Sequence, residues 1–241
     1  MPYRTLLLAL TVAAASAEAQ TIAVDVGHFD AKPGATSARG RAEFEFNRDL
    51  ARDIAGALVQ GGMVVKLIGE DGRMGRLSDR SRAARGAALL LSVHHDSVQP
   101  HFLQAWEAGG VPQLFSDRYA GYSLFISRKN PAQDRSLACA SAVGSALRGA
   151  GFVHSPHHAE RIAGEMKPYA DRRNGVHFYD NLVVLKTASQ PALLIEAGVI
   201  VNRDEELRLA DPRLRTAFAQ AVAAGVGTCL SGRATAGRPS F

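Results

Sequence analysis

The sequence is poor in cysteine: Cys139 and Cys229 are the only two in 241 residues. That excludes a small scaffold held by many disulfides, and equally a zinc module built on cysteine thiolates. Beyond the first twenty residues the chain has no apolar run of the length a bilayer-spanning helix needs. It has no basic run interleaved with aromatics, so a nucleic-acid partner is not expected, and it has no internal repeat. The 28 Lys and Arg exceed the 23 Asp and Glu only modestly. Such an excess describes a solvated, Arg-rich exterior that suits an anionic surface such as cell wall or membrane.

What is present begins with Met-Pro-Tyr-Arg4, an uncharged stretch from Leu6 to Ala17, and Ala-Glu-Ala before Gln20. This pattern reads as a signal peptide over residues 1–19, cut after Ala19 or Ala17, its apolar part being too short to cross a bilayer. An exported, periplasmic or wall-associated protein is therefore expected. Roughly 220 residues would remain, the size of one large domain. The domain is placed at 20–230, with a flexible Gly/Arg/Pro/Ser-rich tail at 231–241. In an exported chain an even pair of cysteines favours one bridge between Cys139 and Cys229 over two free thiols.

The hydrophobic pattern predicts strands over Thr21–Val26, Met63–Ile68, Ala88–Val93, Ser123–Ser127, Leu182–Leu185 and Ala192–Ile195. Helices are predicted from Glu43 to Leu58, where Leu50, Ala51, Ile54, Ala55 and Leu58 recur at spacings of three and four, and then over 77–85, 136–150 and 211–226. Residues 98–122 and 154–176 read as irregular. The alternation implies an α/β fold, single-domain, with a mostly parallel central sheet flanked by helices on both faces.

Three apolar runs end in residues able to bind metal or move protons. Thr21–Val26 leads to His28, Ala88–Val93 leads to His94-His95-Asp96, and Pro191–Ile195 leads to Glu196. The carboxyl edge of a parallel sheet is where such folds place chemistry. A lone histidine at a strand end is usually a hydrogen-bonded structural residue; three endings of this type favour a metal site. A hydrolytic zinc site takes about three N/O ligands, an open position and a nearby carboxylate. His28 and His94 supply nitrogens, Glu43 or Glu45 a carboxylate, and Glu196 is left as general base.

These residues resemble a known family, the zinc-dependent N-acetylmuramoyl-L-alanine amidases of type 3. The resemblance rests on Asp25-Val-Gly-His28, Glu43 with Asn47, Ser92-Val-His94, and Ile195-Glu-Ala-Gly-Val-Ile-Val-Asn202, in that order over about residues 21–230. It implies a peptidoglycan hydrolase that binds Zn²⁺ through His28, Glu43 and His94 and uses Glu196 as catalytic base. It also implies a peptidoglycan or muropeptide substrate and admits an activator protein. Phe29 stands where the family usually has glycine, and Val-Ile-Val-Asn202 replaces its Phe-x-Ser-Asn; neither change removes a ligand atom. The rival readings are a zinc carboxypeptidase or endopeptidase of wall peptides, and a wall-binding domain without catalysis.

The remaining candidates have weaker claims. His95, adjacent to His94, should face the opposite side of its strand and support the site or contact substrate. Asp25 is expected to steady the backbone near His28. His157 and His158 read most simply as a solvated loop pair, and Arg80, Arg82 and Arg85 as the solvated face of a helix. His177 and Lys186 divide evenly between cleft and surface. Residues 98–121, with Phe102, Trp106, Phe115 and Tyr119, are expected to wall a substrate groove, with a gate or a satellite packing cluster as alternatives.

Overall fold

The computed structural model describes residues 19–232. The expected signal peptide and tail lie, except for Ala19, Ser231 and Gly232, outside the described residues. Cys139 and Cys229 are joined in a disulfide, as expected.

The chain runs β1 (Thr21–Val26), α1 (Glu43–Gln60), β2 (Val64–Ile68), α2 (Leu77–Ala83), β3 (Leu89–Asp96), β4 (Gln104–Ala108), β5 (Val111–Phe115), β6 (Ser123–Ile126), α3 (Gln133–Gly149), β7 (Tyr169–Asp171), β8 (Val176–Phe178), α4 (Val183–Thr187), β9 (Ala192–Val199), α5 (Arg203–Ala210) and α6 (Pro212–Leu230). Seven strands form one sheet in the order β2-β1-β3-β9-β6-β8-β7. The pairs β1–β2, β1–β3, β3–β9 and β6–β8 are parallel, and β6–β9 and β7–β8 are antiparallel.

Side chains alternate across a strand, and the sequence uses that alternation to build two cores. Ile22, Val24, Leu89, Leu91, Leu193 and Ile195 face the long helices α1, α3 and α6. Their neighbours Ala23, Leu90, Ala192 and Leu194 face the short pair α2 and α4. Burying each such Leu or Ile contributes about 2 kcal/mol. Strands apolar on both faces are the signature of a sheet covered on both sides.

Four expectations change. Leu182–Leu185 does not add a strand; Val183–Thr187 is a short helix that buries Val184 and Leu185 in the second core. Four apolar residues fit either period, and tertiary packing decided between them. Residues 98–121 contain a hairpin, β4 paired with β5, turning at Gly109 and Gly110, both at positive φ. The expected irregularity of 154–176 gives way at its end to β7, which pairs with β8. Arg80 is not on a solvated face: it is 1 % exposed, for reasons that belong to the site.

Candidate functional site

Because β1, β3 and β9 are neighbouring parallel strands, their carboxyl ends open on one edge of the sheet. Register aligns Ser92 with Leu194 and His94 with Glu196. His94 and Glu196 therefore stand side by side on the α2/α4 face of the sheet. Immediately beyond, the register slips between His94 and Asp96. Such bulges re-aim side chains at the ends of strands.

His28 follows β1 through Gly27, a position where any Cβ would lie 2.3 Å from the His94 ring. Its own backbone is at φ 67°, uncommon outside glycine. Arg80 holds this turn from beneath. Its guanidinium pairs with Asp25 at 2.7 Å, donates to the carbonyls of Val26 and His28 and to that of Met74 at 2.8 Å. Ser92 Oγ donates to the other oxygen of Asp25 at 2.7 Å. Asp25 thus steadies the His28 backbone, as expected, but does so through a buried arginine.

Glu43 opens α1 and reaches both imidazoles. Its Oε2 lies 3.1 Å from His28 Nε2 and its Oε1 3.1 Å from His94 Nδ1. The Ala35 amide donates to Oε2 at 3.0 Å, and Asn47 Nδ2 donates to Oε1 at 3.1 Å. At Gly34, φ 84°, a Cβ would come within 2.3 Å of Oε2. Burial pushes the Glu43 carboxyl up, but the hydrogen bonds and charges of His28 and His94 outweigh it and hold it well below the usual carboxylate range. One ligand atom from each of these residues falls within 4.8 Å of the others. Two imidazole nitrogens and one carboxylate, with His28 the most open of the three, form a set that fits a metal ion with room for a further ligand. Glu45 points elsewhere, accepting from Arg41 Nε at 3.3 Å on the surface.

His95 faces away from this group. Its Nδ1 is 2.8 Å from Asn47 Oδ1, and burial pushes its pKa down to about 3, so it stays neutral. Glu196 is the opposite case, a carboxyl pushed well above its ordinary range by burial, then by the charges of Asp96 and Glu43. Its Oε2 is buried without a hydrogen-bond partner. Glu196 lines a cleft of about 290 Å³ with Asp96, His158, Glu165, Lys167 and Tyr179.

In and around that cleft lie residues whose expected placement changes. His157 and His158 are not solvated; they are 1 % and 7 % exposed, with both Nε2 atoms directed at Asp96 Oδ2, at 3.2 and 2.6 Å. Glu165 Oε2 accepts from His158 Nδ1 at 2.8 Å and from Lys167 Nζ at 3.0 Å. Asp96 had a sequence signal, two residues from His94 on a strand and so near the same face; the loop residues had none. His177 is fully buried, 4.2 Å ring to ring from Tyr169. The aromatics of 98–121 pack on the body: Trp106 Nε1 donates to the Ala38 carbonyl at 2.8 Å, Phe115 lies under Arg203, and Tyr119 stacks on His157.

The model of the N-acetylmuramoyl-L-alanine amidase family, type 3, matches residues 22–228. Among solved structures, the chain is similar to the N-acetylmuramyl-L-alanine amidase Ami1 of Mycobacterium smegmatis, at 19 % identity and a TM-score of 0.69 over 88 % of this chain and 97 % of that one. An N-acetylmuramoyl-L-alanine amidase of Clostridium difficile 630 is 21 % identical, with a TM-score of 0.69 over 90 % and 100 %. The CwlD amidase of Clostridioides difficile, solved in complex with the GerS lipoprotein, is 18 % identical, with a TM-score of 0.62 over 88 % and 99 %. No curated protein matches the chain significantly.

Proposed function

The chain belongs to the N-acetylmuramoyl-L-alanine amidase family, and from that premise we propose how its cleft performs the hydrolysis of peptidoglycan. The scissile bond is the amide between the lactyl group of N-acetylmuramic acid and the L-alanine of the stem peptide. His28, Glu43 and His94 would hold a zinc ion, and Glu196 moves the proton. Zinc, when bound, polarises the scissile carbonyl and makes water acidic enough to yield a nucleophile near neutral pH.

The chain's own residues do the rest. Asn47 and the Ala35 amide fix the two oxygens of Glu43, so that carboxylate is presented without reorganising. Arg80 fixes the turn that carries His28. Glu196 has a bare, buried Oε2 on the strand beside His94. At that atom it takes the proton from attacking water and returns it to the leaving amine of L-alanine. Burial and neighbouring negative charge raise its proton affinity, and a cation's field opposes them, the balance a group needs to accept and then donate.

The observation that carries this reading is a carboxylate with one buried, unpartnered oxygen on the strand next to His94 of the three-ligand cluster. Digestion of purified muropeptides tests it: stem peptide with a free L-alanine amine is expected, together with glycan ending in muramic acid carboxylate. Release of terminal D-alanine, or of fragments cut within the stem, would instead make the protein a carboxypeptidase or endopeptidase. The CwlD relative was solved with the GerS lipoprotein, which supports a protein partner of the kind the resemblance admits. Peptidoglycan as substrate supports an extracytoplasmic location.

A further inference from the structure

His157 and His158 are buried and Asp96 is half-buried at the sheet edge that carries Glu196, and none of them binds the first metal or moves the proton in the hydrolysis described above. One ligand atom from each lies within 4.8 Å of the other two. The outer nitrogen of each imidazole is already engaged. His158 Nδ1 must donate to Glu165 Oε2, at 2.8 Å, because a carboxylate only accepts. His157 Nδ1 is 2.8 Å from Ser155 Oγ. His158 Nε2 in turn lies 2.6 Å from Asp96 Oδ2, so the ring bridges two carboxylates through a proton on each nitrogen, or through a cation in place of the inner one. His157 Nε2 faces the same oxygen at 3.2 Å and forms no hydrogen bond, although it is buried. Two imidazole nitrogens thus converge on one carboxylate oxygen, an arrangement in which a cation can displace the proton between His158 and Asp96 and also satisfy the unpartnered His157 Nε2.

We propose that Asp96, His157 and His158 form a second divalent-cation site, of the class that takes zinc, beside the His28, Glu43 and His94 cluster. The donor set, two imidazoles and one carboxylate, is the same as in the first cluster and is typical of zinc sites with an open position. The outer partners are also those of a metal site, where the second ring nitrogen of each histidine is tied down and the tautomer thereby fixed. Lys167 and Gln99 in turn hold Glu165, so His158 is oriented two contacts deep. The cleft of about 290 Å³ that Asp96, His158 and Glu196 line together leaves space for water or substrate on such an ion. The proposal does not require the amidase assignment of Glu196.

Metal counting on the full chain tests it. Protein stripped with a chelator and dialysed against micromolar Zn²⁺ is expected to carry two equivalents by mass spectrometry. His157→Phe keeps a ring to stack on Tyr119 and removes the nitrogen; it should carry one, as should His94→Ala, and the double variant none. Asp96→Asn, which keeps the shape of the side chain, is the second reporter should His157→Phe not fold by circular dichroism. Two equivalents retained in either folded variant, or one equivalent in the wild type that His157→Phe leaves in place, would overturn the second site. Loss of one of two equivalents in His157→Phe with no loss in His94→Ala would uphold the second site and overturn the first.

Discussion

The two histidine–carboxylate clusters at this sheet edge have the same donors and opposite origins. His28, Glu43 and His94 sit at the end of β1, the start of α1 and the end of β3, so regular secondary structure delivers each of them. Of the second set only Asp96 comes from a strand; His157 and His158 come from a single 3-10 turn set in a loop and are held by Ser155 and Glu165. Their surroundings also differ. The first opens to solvent through His28, whose side chain is 32 % exposed, while both histidines of the second are buried. A site set on strand and helix ends inherits its geometry from the sheet, whereas a loop site must assemble its own supports.

The carboxylate at the edge of both clusters should give the largest effect. Glu196→Gln is expected to lower kcat about thousandfold, the middle of the range for losing a general base, with metal content unchanged. Near-normal turnover on muropeptides would remove Glu196 from the proton path. The support of the first cluster comes next. Arg80→Met leaves Asp25 buried with only the Ser92 hydroxyl, and removing one partner of a buried pair costs about 3–5 kcal/mol. Urea unfolding should show that loss; a drop under about 1 kcal/mol would mean the pair contributes little to the turn at His28.

Next to the second cluster, stability is expected to respond to pH through His177, whose ring lies 6.0 Å from that of His158. Burial, then the charges of His158, His154 and His157, push the His177 pKa down from 6.5 to about 4, against the Lys167 carbonyl bond that raises it. As pH falls below 6.5 the unfolded chain takes up a proton that the folded chain refuses until about pH 4. Stability is therefore lost as pH falls across that window, by about 3 kcal/mol at most. His177→Phe keeps the packing on Tyr169 and should flatten this part of the stability profile. An unchanged slope would assign the acid sensitivity to other groups.

Smaller effects separate the parts of the first cluster. Asn47→Ala frees one oxygen of Glu43 and should weaken zinc binding roughly 10–100-fold, as removal of such supports does, measured by competition with a chelator. Glu45→Ala removes only an exposed contact with Arg41 and should change stability by less than about 0.5 kcal/mol with no change in zinc affinity. If Glu45→Ala costs metal and Glu43→Ala does not, the ligand assignment on α1 moves by two residues.

By itself the sequence determined the α/β class, the strands that form the sheet centre, and the three strand ends and one helix start that carry His28, Glu43, His94 and Glu196. Those features follow from local periodicity, since a buried strand must be apolar and its polar residues can emerge only at an end. The helical rather than extended state of Val183–Thr187, the hairpin at 104–115 and the burial of Arg80, His157, His158 and His177 were decided by tertiary structure. A four-residue apolar run fits two periods. A charged or imidazole side chain is buried only where distant segments supply its partners: Asp25 for Arg80 across 55 residues, and Asp96 for His158 across 62. No pattern along the chain records such a meeting, because the free energy that fixes it exists only once both segments are in place.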